Sequence, residues 1–173
     1  MSSGAEHAKA SVTAAIALVP IIGLPFGLPA AALAAGGSLL GIALSPDLDQ
    51  ETLSRFEHRL VKYTLGLGFI WVMIWYPYSR FMPHRSWLSH VPLVGTTLRI
   101  VYLCTVLSLA LFALRLWPDA VGALPPEVAG SLGWAVFGLI VSDTIHWVMD
   151  GCPMPKKPSR KAVRRRKKGH GLH

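Results

Sequence analysis

The chain has 173 residues, of which 52% are hydrophobic and 15% charged, against about 25% charged in an ordinary soluble domain. It is too apolar to be disordered, and with two cysteines it is no disulfide scaffold. The formal net charge of +8 belongs to one end: nine of the 17 Lys and Arg residues lie between Lys156 and Lys168, which leaves a near-neutral apolar body carrying a basic tail.

From Ala10 to Ser45 no residue is charged. Such a stretch is long for one membrane crossing, which takes about 20 residues, and sufficient for two short ones. The Gly- and Pro-rich run Gly23-Leu-Pro-Phe-Gly-Leu-Pro29 divides it. A helical hairpin is predicted, with one arm ending near Leu24 and the other running from about Pro29 to Leu44. A re-entrant hairpin is the alternative. The stretch does not read as a cleaved signal peptide, because Glu6 balances Lys9 and the apolar run is too long.

A polar segment runs from Ser45 through Lys62. The apolar run from Tyr63 to Trp75 is short for a crossing and is expected as an interfacial or re-entrant helix. Its aromatic end, Trp71, Trp75, Tyr76 and Tyr78, suits the headgroup level. A long helix is predicted from Trp87 to Trp117, with His90 and Arg99 as its strongly polar members before Arg115. The last helix is predicted from about Glu127 to Met149, and Gly151 and Pro153 end it. Cys104 reads as a small core residue and Cys152 as a rim residue. The fold class that follows is all-α. It is a polytopic membrane helical bundle of about four crossings plus one short interfacial or re-entrant helix, over residues 1–155. Residues 156–173 form a basic, disordered tail.

The Lys/Arg bias orients this bundle. The segments 23–29 and 117–127 carry no Lys or Arg, so they are expected outside and both termini cytoplasmic. Four polar groups then fall at the cytoplasmic ends of helices: His7, Asp47 with Asp49, His84-Arg85 with His90, and Asp143 with His146 and Asp150. Asp143, His146 and Asp150 are spaced i, i+3, i+7 and share one helix face. Ionisable groups on an apolar helix are costly unless they pair or bind something, and imidazole with carboxylate suits zinc, manganese or iron. Asp150 is also explained as a helix-end residue; Asp143, two turns inside, is not. Pro83 places His84 in a loop, makes Ser86 the N-cap and sets His90 one turn in. Asp47 and Asp49 flank Leu48, an alternation that clamps a cation or caps a helix with Gln50. Arg85 would hold an anion or pair with Asp47 or Asp49. His58 reads as solvated surface, and His170 and His173 as tail. No CxxC, P-loop, GxGxxG or HExxH occurs.

The blocks Ser3-Gly4-x-x-His7, Leu44-Ser-Pro-Asp-Leu-Asp49, Pro83-His-Arg-Ser-Trp-Leu-Ser-His90 with Gly95, Thr96 and Arg99, and Asp143-x-x-His146 occur in this order. The set resembles a family of small bacterial integral membrane proteins described as metal-binding and of unknown function. It is more distantly similar to the membrane-bound metal-dependent hydrolases. The resemblance spans roughly residues 3 to 150 and implies His7, Asp47, Asp49, His84, His90, Asp143 and His146 as candidate ligands. It also implies a bacterial inner-membrane location.

Two functions follow as expectations. In the first, a metal-dependent hydrolase of a membrane-associated substrate, His7, Asp47, His84, His90 and His146 hold one or two divalent ions, zinc or manganese. Asp49 or Asp143 is then the general base and Arg85 stabilises the developing anion. In the second, the same ligands serve a non-catalytic metal-handling or assembly protein. Beyond the lipid bilayer itself, the tail is expected to meet anionic lipid headgroups. Nucleic acid is not expected, since the tail is tethered to the membrane and lacks aromatics for base stacking.

Overall fold

The computed structural model describes residues 4–49, 53–82, 86–115 and 126–152. Among these residues the architecture is all α, with no strand. The elements are α1 (Gly4–Phe26), α2 (Leu28–Leu40), a 3-10 turn (Pro46–Asp49), α3 (Arg55–Tyr63), α4 (Gly68–Phe81), α5 (Trp87–His90), α6 (Pro92–Ala113) and α7 (Pro126–Met149). Residues 156–173, expected as a tail, lie outside the described residues.

The predicted hairpin is formed by α1 and α2, with a tighter turn than the Gly/Pro run suggests. Helix α1 continues to Phe26, and Gly27 alone reverses the chain at φ 87°, ψ 164°. Only glycine adopts such a backbone without steric cost. Pro29 then falls in the first turn of α2, where no backbone N–H is needed.

Helix α2 packs against both α1 and α7. Leu18, Ile22, Ala30, Ala31 and Ala34 form the apolar core of this group, with Trp134 and Val141 of α7 against it. The α2–α7 crossing is built from small residues. A Cβ at Gly37 would overlap the carbonyl of Ala135, one at Gly138 the carbonyl of Ala34, and one at Gly41 the hydroxyl of Ser142. Close backbone approach of this kind is how helices associate where water supplies no hydrophobic drive.

Three helices are long and apolar enough to cross a membrane: Gly4–Phe26, Pro92–Ala113 and Gly130–Met149. Their outer faces expose large apolar side chains such as Ile16, Ile21, Leu109 and Phe112. Helix α2 has 13 residues and reaches only about 20 Å, less than the roughly 30 Å hydrocarbon layer. Of the expected four crossings, then, three have spanning length and the fourth is a short helix packed between two of them.

Two expected helices are divided. The run Tyr63–Trp75 is not one helix: α3 ends at Tyr63, Leu65 (φ 51°) and Gly66 (φ 90°) turn the chain, and α4 restarts at Gly68. Thr64 holds the corner, its Oγ1 donating to the Leu60 carbonyl at 2.6 Å and accepting from Gly68 N–H at 2.7 Å. The charged residues before it therefore form a helix of their own. A capping box starts that helix: Ser54 N–H donates to Glu57 Oε2 at 2.7 Å and Glu57 N–H donates to Ser54 Oγ at 3.2 Å. The long helix from Trp87 is broken at Val91, because Pro92 forces its predecessor out of the helical region.

The aromatic residues at the end of α4 differ in burial. Trp75 and Tyr78 are buried with Leu48, and Trp71 and Tyr102 surround them, while Tyr76 is exposed. Cys104, expected in the core, is exposed on α6, and Cys152 is half-buried.

Candidate metal centre

The site begins with three serines. Ser38 of α2 donates to the Ser11 carbonyl at 3.0 Å, and the hydroxyls of Ser11 (α1) and Ser142 (α7) meet at 2.8 Å. Ser11 lies four residues after His7 and Ser142 four before His146, so this knot sets both histidines at one level. There the two imidazoles stack, with centroids 3.7 Å apart and planes 9° from parallel. The two rings are thus presented side by side, and a metal binds imidazole in its neutral form.

Carboxylates and a third histidine converge on the same point. His7 Nε2 lies 3.3 Å from Asp150 Oδ1, and His146 Nε2 lies 3.3 Å from Asp150 Oδ2. His90 Nε2 is 3.9 Å from that same Oδ2, and Asp47 Oδ1 is 3.8 Å from His146 Nε2. Two triads result, His7–His146–Asp150 and Asp47–His90–His146, each with its ligand atoms within 4.8 Å of one another. Two donor atoms bound at about 2.1 Å to one tetrahedral ion stand about 3.4 Å apart. The two separations to Asp150, 3.3 Å each, are of that size.

His90 is held from behind. Ser89 Oγ donates to Asp49 Oδ2 at 2.7 Å and lies 2.8 Å from His90 Nδ1. A hydroxyl has one proton, and Ser89 directs it to Asp49. His90 therefore donates from Nδ1, which leaves Nε2 as its lone-pair nitrogen, turned toward Asp150. A hydrogen-bonded partner on the far ring nitrogen is the usual support of a metal-binding histidine. The Ser89 carbonyl is fixed in turn by Arg99, whose Nη1 donates to it at 3.1 Å. The other arm of Arg99 donates to Asp143, which also accepts from Thr96. Arg99 and Asp143 are each 1% exposed.

The donor set fits a divalent ion. It offers three imidazoles and two carboxylates, a mixture of donors suited to a divalent metal ion. His146 Nε2 is buried and, among the described residues, has no hydrogen bond of acceptable geometry despite the carboxylate at 3.3 Å. An ion bonded to that nitrogen would satisfy it.

Of the residues expected at the site, His7, Asp47, His90 and His146 come together here. Asp49 is close but faces the back of His90; it is 1% exposed and does not open onto the cluster. The two aspartates of the turn thus serve different neighbours, because Leu48 between them is buried among Trp75 and Tyr78. Asp143 does not join them: it lies one turn deeper on α7, faces α6 and is engaged by Arg99. His84 and Arg85 lie outside the described residues. Sequence reasoning placed Asp150 on the same face but left it out of the ligand set as a helix-end residue, although its i+4 spacing from His146 was the available signal, and it did not match Arg99 to Asp143.

No curated protein and no solved structure matches the chain. The family model described as uncharacterized metal-binding protein (DUF2227) matches residues 2–160, and the chain belongs to that family.

Proposed function

We propose that this chain is an integral membrane protein that holds a divalent metal ion, zinc or manganese, at the cytoplasmic end of its helix bundle. The convergence of His7 and His146 on Asp150, at 3.3 Å each, carries this reading. His90 and Asp47 complete the ligand set, and Asp49 and Ser89 orient His90. The resemblance adds His84 as a further ligand and Arg85 as an anion partner. It also supports the bacterial inner membrane as location, with the basic tail on anionic headgroups.

A catalytic reading is favoured by one further observation. A cavity of about 330 Å³ opens beside the cluster, lined by His7, Asp47 and His146. A bound ion would supply Lewis acidity there. Asp47, a quarter exposed, lines this cavity, whereas Asp49 and Asp143 do not. We therefore favour a metal-dependent hydrolase of a membrane-associated substrate over a non-catalytic metal carrier.

Elemental analysis of the purified full chain tests the metal. The wild type should carry zinc or manganese in stoichiometric amount, and His146→Ala should lose it. A wild type with no bound metal after purification in the presence of both ions would overturn the reading. Turnover of ester and phosphoester substrates, abolished by His146→Ala, separates enzyme from carrier.

A further inference from the structure

The cavity beside the cluster adjoins another. Its wall includes Ile42, Ala43 and Phe56, and the same three residues line a second cavity of about 560 Å³. The second cavity runs along α2 toward α7, past Leu33, Leu40 and Ala135, and every residue that lines it is apolar. The first carries an exposed guanidinium, Arg59 of α3, which makes no ion pair among the described residues. A chamber that holds one guanidinium together with the cluster's His7, Asp47 and His146 thus borders an apolar groove on a surface that exposes Leu39 and Leu40.

We propose that this composite cavity binds an anionic lipid with a single acyl chain. Its phosphate head lies against Arg59 beside the metal cluster, and its chain lies along α2 past Ala43 and Leu33. The proposal rests on the metal and membrane readings above and names the substrate class of that site. Each half of the cavity selects a different half of the ligand. Guanidinium recognises phosphate oxygens through a planar fork of donors, and an all-apolar groove offers nothing to a polar group. The junction at Ile42, Ala43 and Phe56 makes one ligand with both parts fit better than either part alone. The arrangement also places the ester linkages between head and chain near His7 and Asp47, where water would split an ester into an acid and an alcohol.

The test uses the full chain, loaded with zinc, in phosphatidylcholine nanodiscs, and spin-labelled lysophosphatidate as probe. Spin-labelled lysophosphatidylcholine is the neutral comparison. The wild type should immobilise lysophosphatidate about tenfold more strongly, as a charge-assisted hydrogen bond allows. Arg59→Gln should remove that preference while leaving the neutral lipid unchanged. Ala43→Trp and, independently, Leu33→Trp should weaken both lipids by filling the groove. All three variants should keep wild-type metal content, which reports that they are folded. Equal immobilisation of the two lipids by the wild type overturns the proposal. So does complete displacement of lysophosphatidate by equimolar inorganic phosphate, since the chain would then contribute nothing. Loss of metal from the wild type is read separately and overturns the metal reading. Metal retained without lipid preference overturns only the lipid.

Discussion

Ser11 of α1 and Ser142 of α7 share a hydrogen bond, with their hydroxyl oxygens 2.8 Å apart. Ser11 also donates to the carbonyl of His7 at 3.1 Å. Its single proton is then committed, so Ser142 must be the donor between the two. Ser142→Ala should therefore leave the Ser11 hydroxyl without its donor and loosen α1 from α7. Interhelical hydrogen bonds in membrane proteins contribute about 0.6 kcal/mol on average. A lowered unfolding midpoint in detergent, with metal still bound, is the expected result. An unchanged midpoint would show that the knot contributes nothing.

Much of this site could be seen in the sequence because its ligands sit at helix ends beside recognisable breaks. The Pro46 turn and the Ser86 cap placed Asp47 and His90 near the level of His7 and His146. What could not be seen was which neighbour each face of α7 would meet. The i, i+3, i+7 face groups Asp143 with His146 and Asp150, yet Asp143 lies one turn deeper along that face, where Arg99 of α6 reaches it. Periodicity within one helix holds no information about the helix beside it. The break between α3 and α4 was hidden for another reason. Leu65 and Leu67 keep the stretch apolar, while the backbone is decided by Gly66 at φ 90° and by the close approach of Gly68 to Leu60 and Val61.

The buried pair of Arg99 and Asp143 predicts a non-additive mutational response. Arg99→Met leaves an unpaired carboxylate in an apolar bundle and should cost about 3–5 kcal/mol, as breaking a buried pair commonly does. Asp143→Leu should cost a similar amount. The double variant Arg99→Met/Asp143→Leu removes both charges and should recover much of the loss. Chemical unfolding of the three variants in detergent measures this. Additive losses in the double variant would mean that the two residues act independently.

The crossing of α2 and α7 should tolerate no added side chain at its centre. Gly138→Ala sets a Cβ against the Ala34 backbone, which cannot move aside as a flexible side chain can. Overpacking of this sort costs about 1–3 kcal/mol. Gly133→Ala, five residues earlier on α7, meets nothing and should be neutral or slightly stabilising through helix propensity. Thermal midpoints of the two variants should differ in that direction. Equal midpoints would rule out the close crossing.

Metal affinity should rank the carboxylates by where they point and not by where they stand in the sequence. Asp150 offers an oxygen to each of His7 and His146, so Asp150→Asn should remove a charged ligand and weaken the ion by at least about tenfold. Asp49→Asn changes no proposed ligand atom but disturbs the support of His90, whose Nδ1 lies 3.6 Å from Asp49 Oδ2, and losses of about 10–100-fold are usual there. Asp143→Asn should act differently. Its partner is Arg99, so stability should fall while the affinity of the folded fraction stays near wild type. Competition with a chromophoric zinc chelator gives the affinities, and unfolding of the same samples gives the stabilities. The decisive comparison is between Asp150 and Asp143, which share a face of α7. If Asp143→Asn lost the metal and kept its stability while Asp150→Asn kept the metal, the cluster would be centred one turn deeper in the bundle. The His7–His146 stack would then be a packing contact and nothing more.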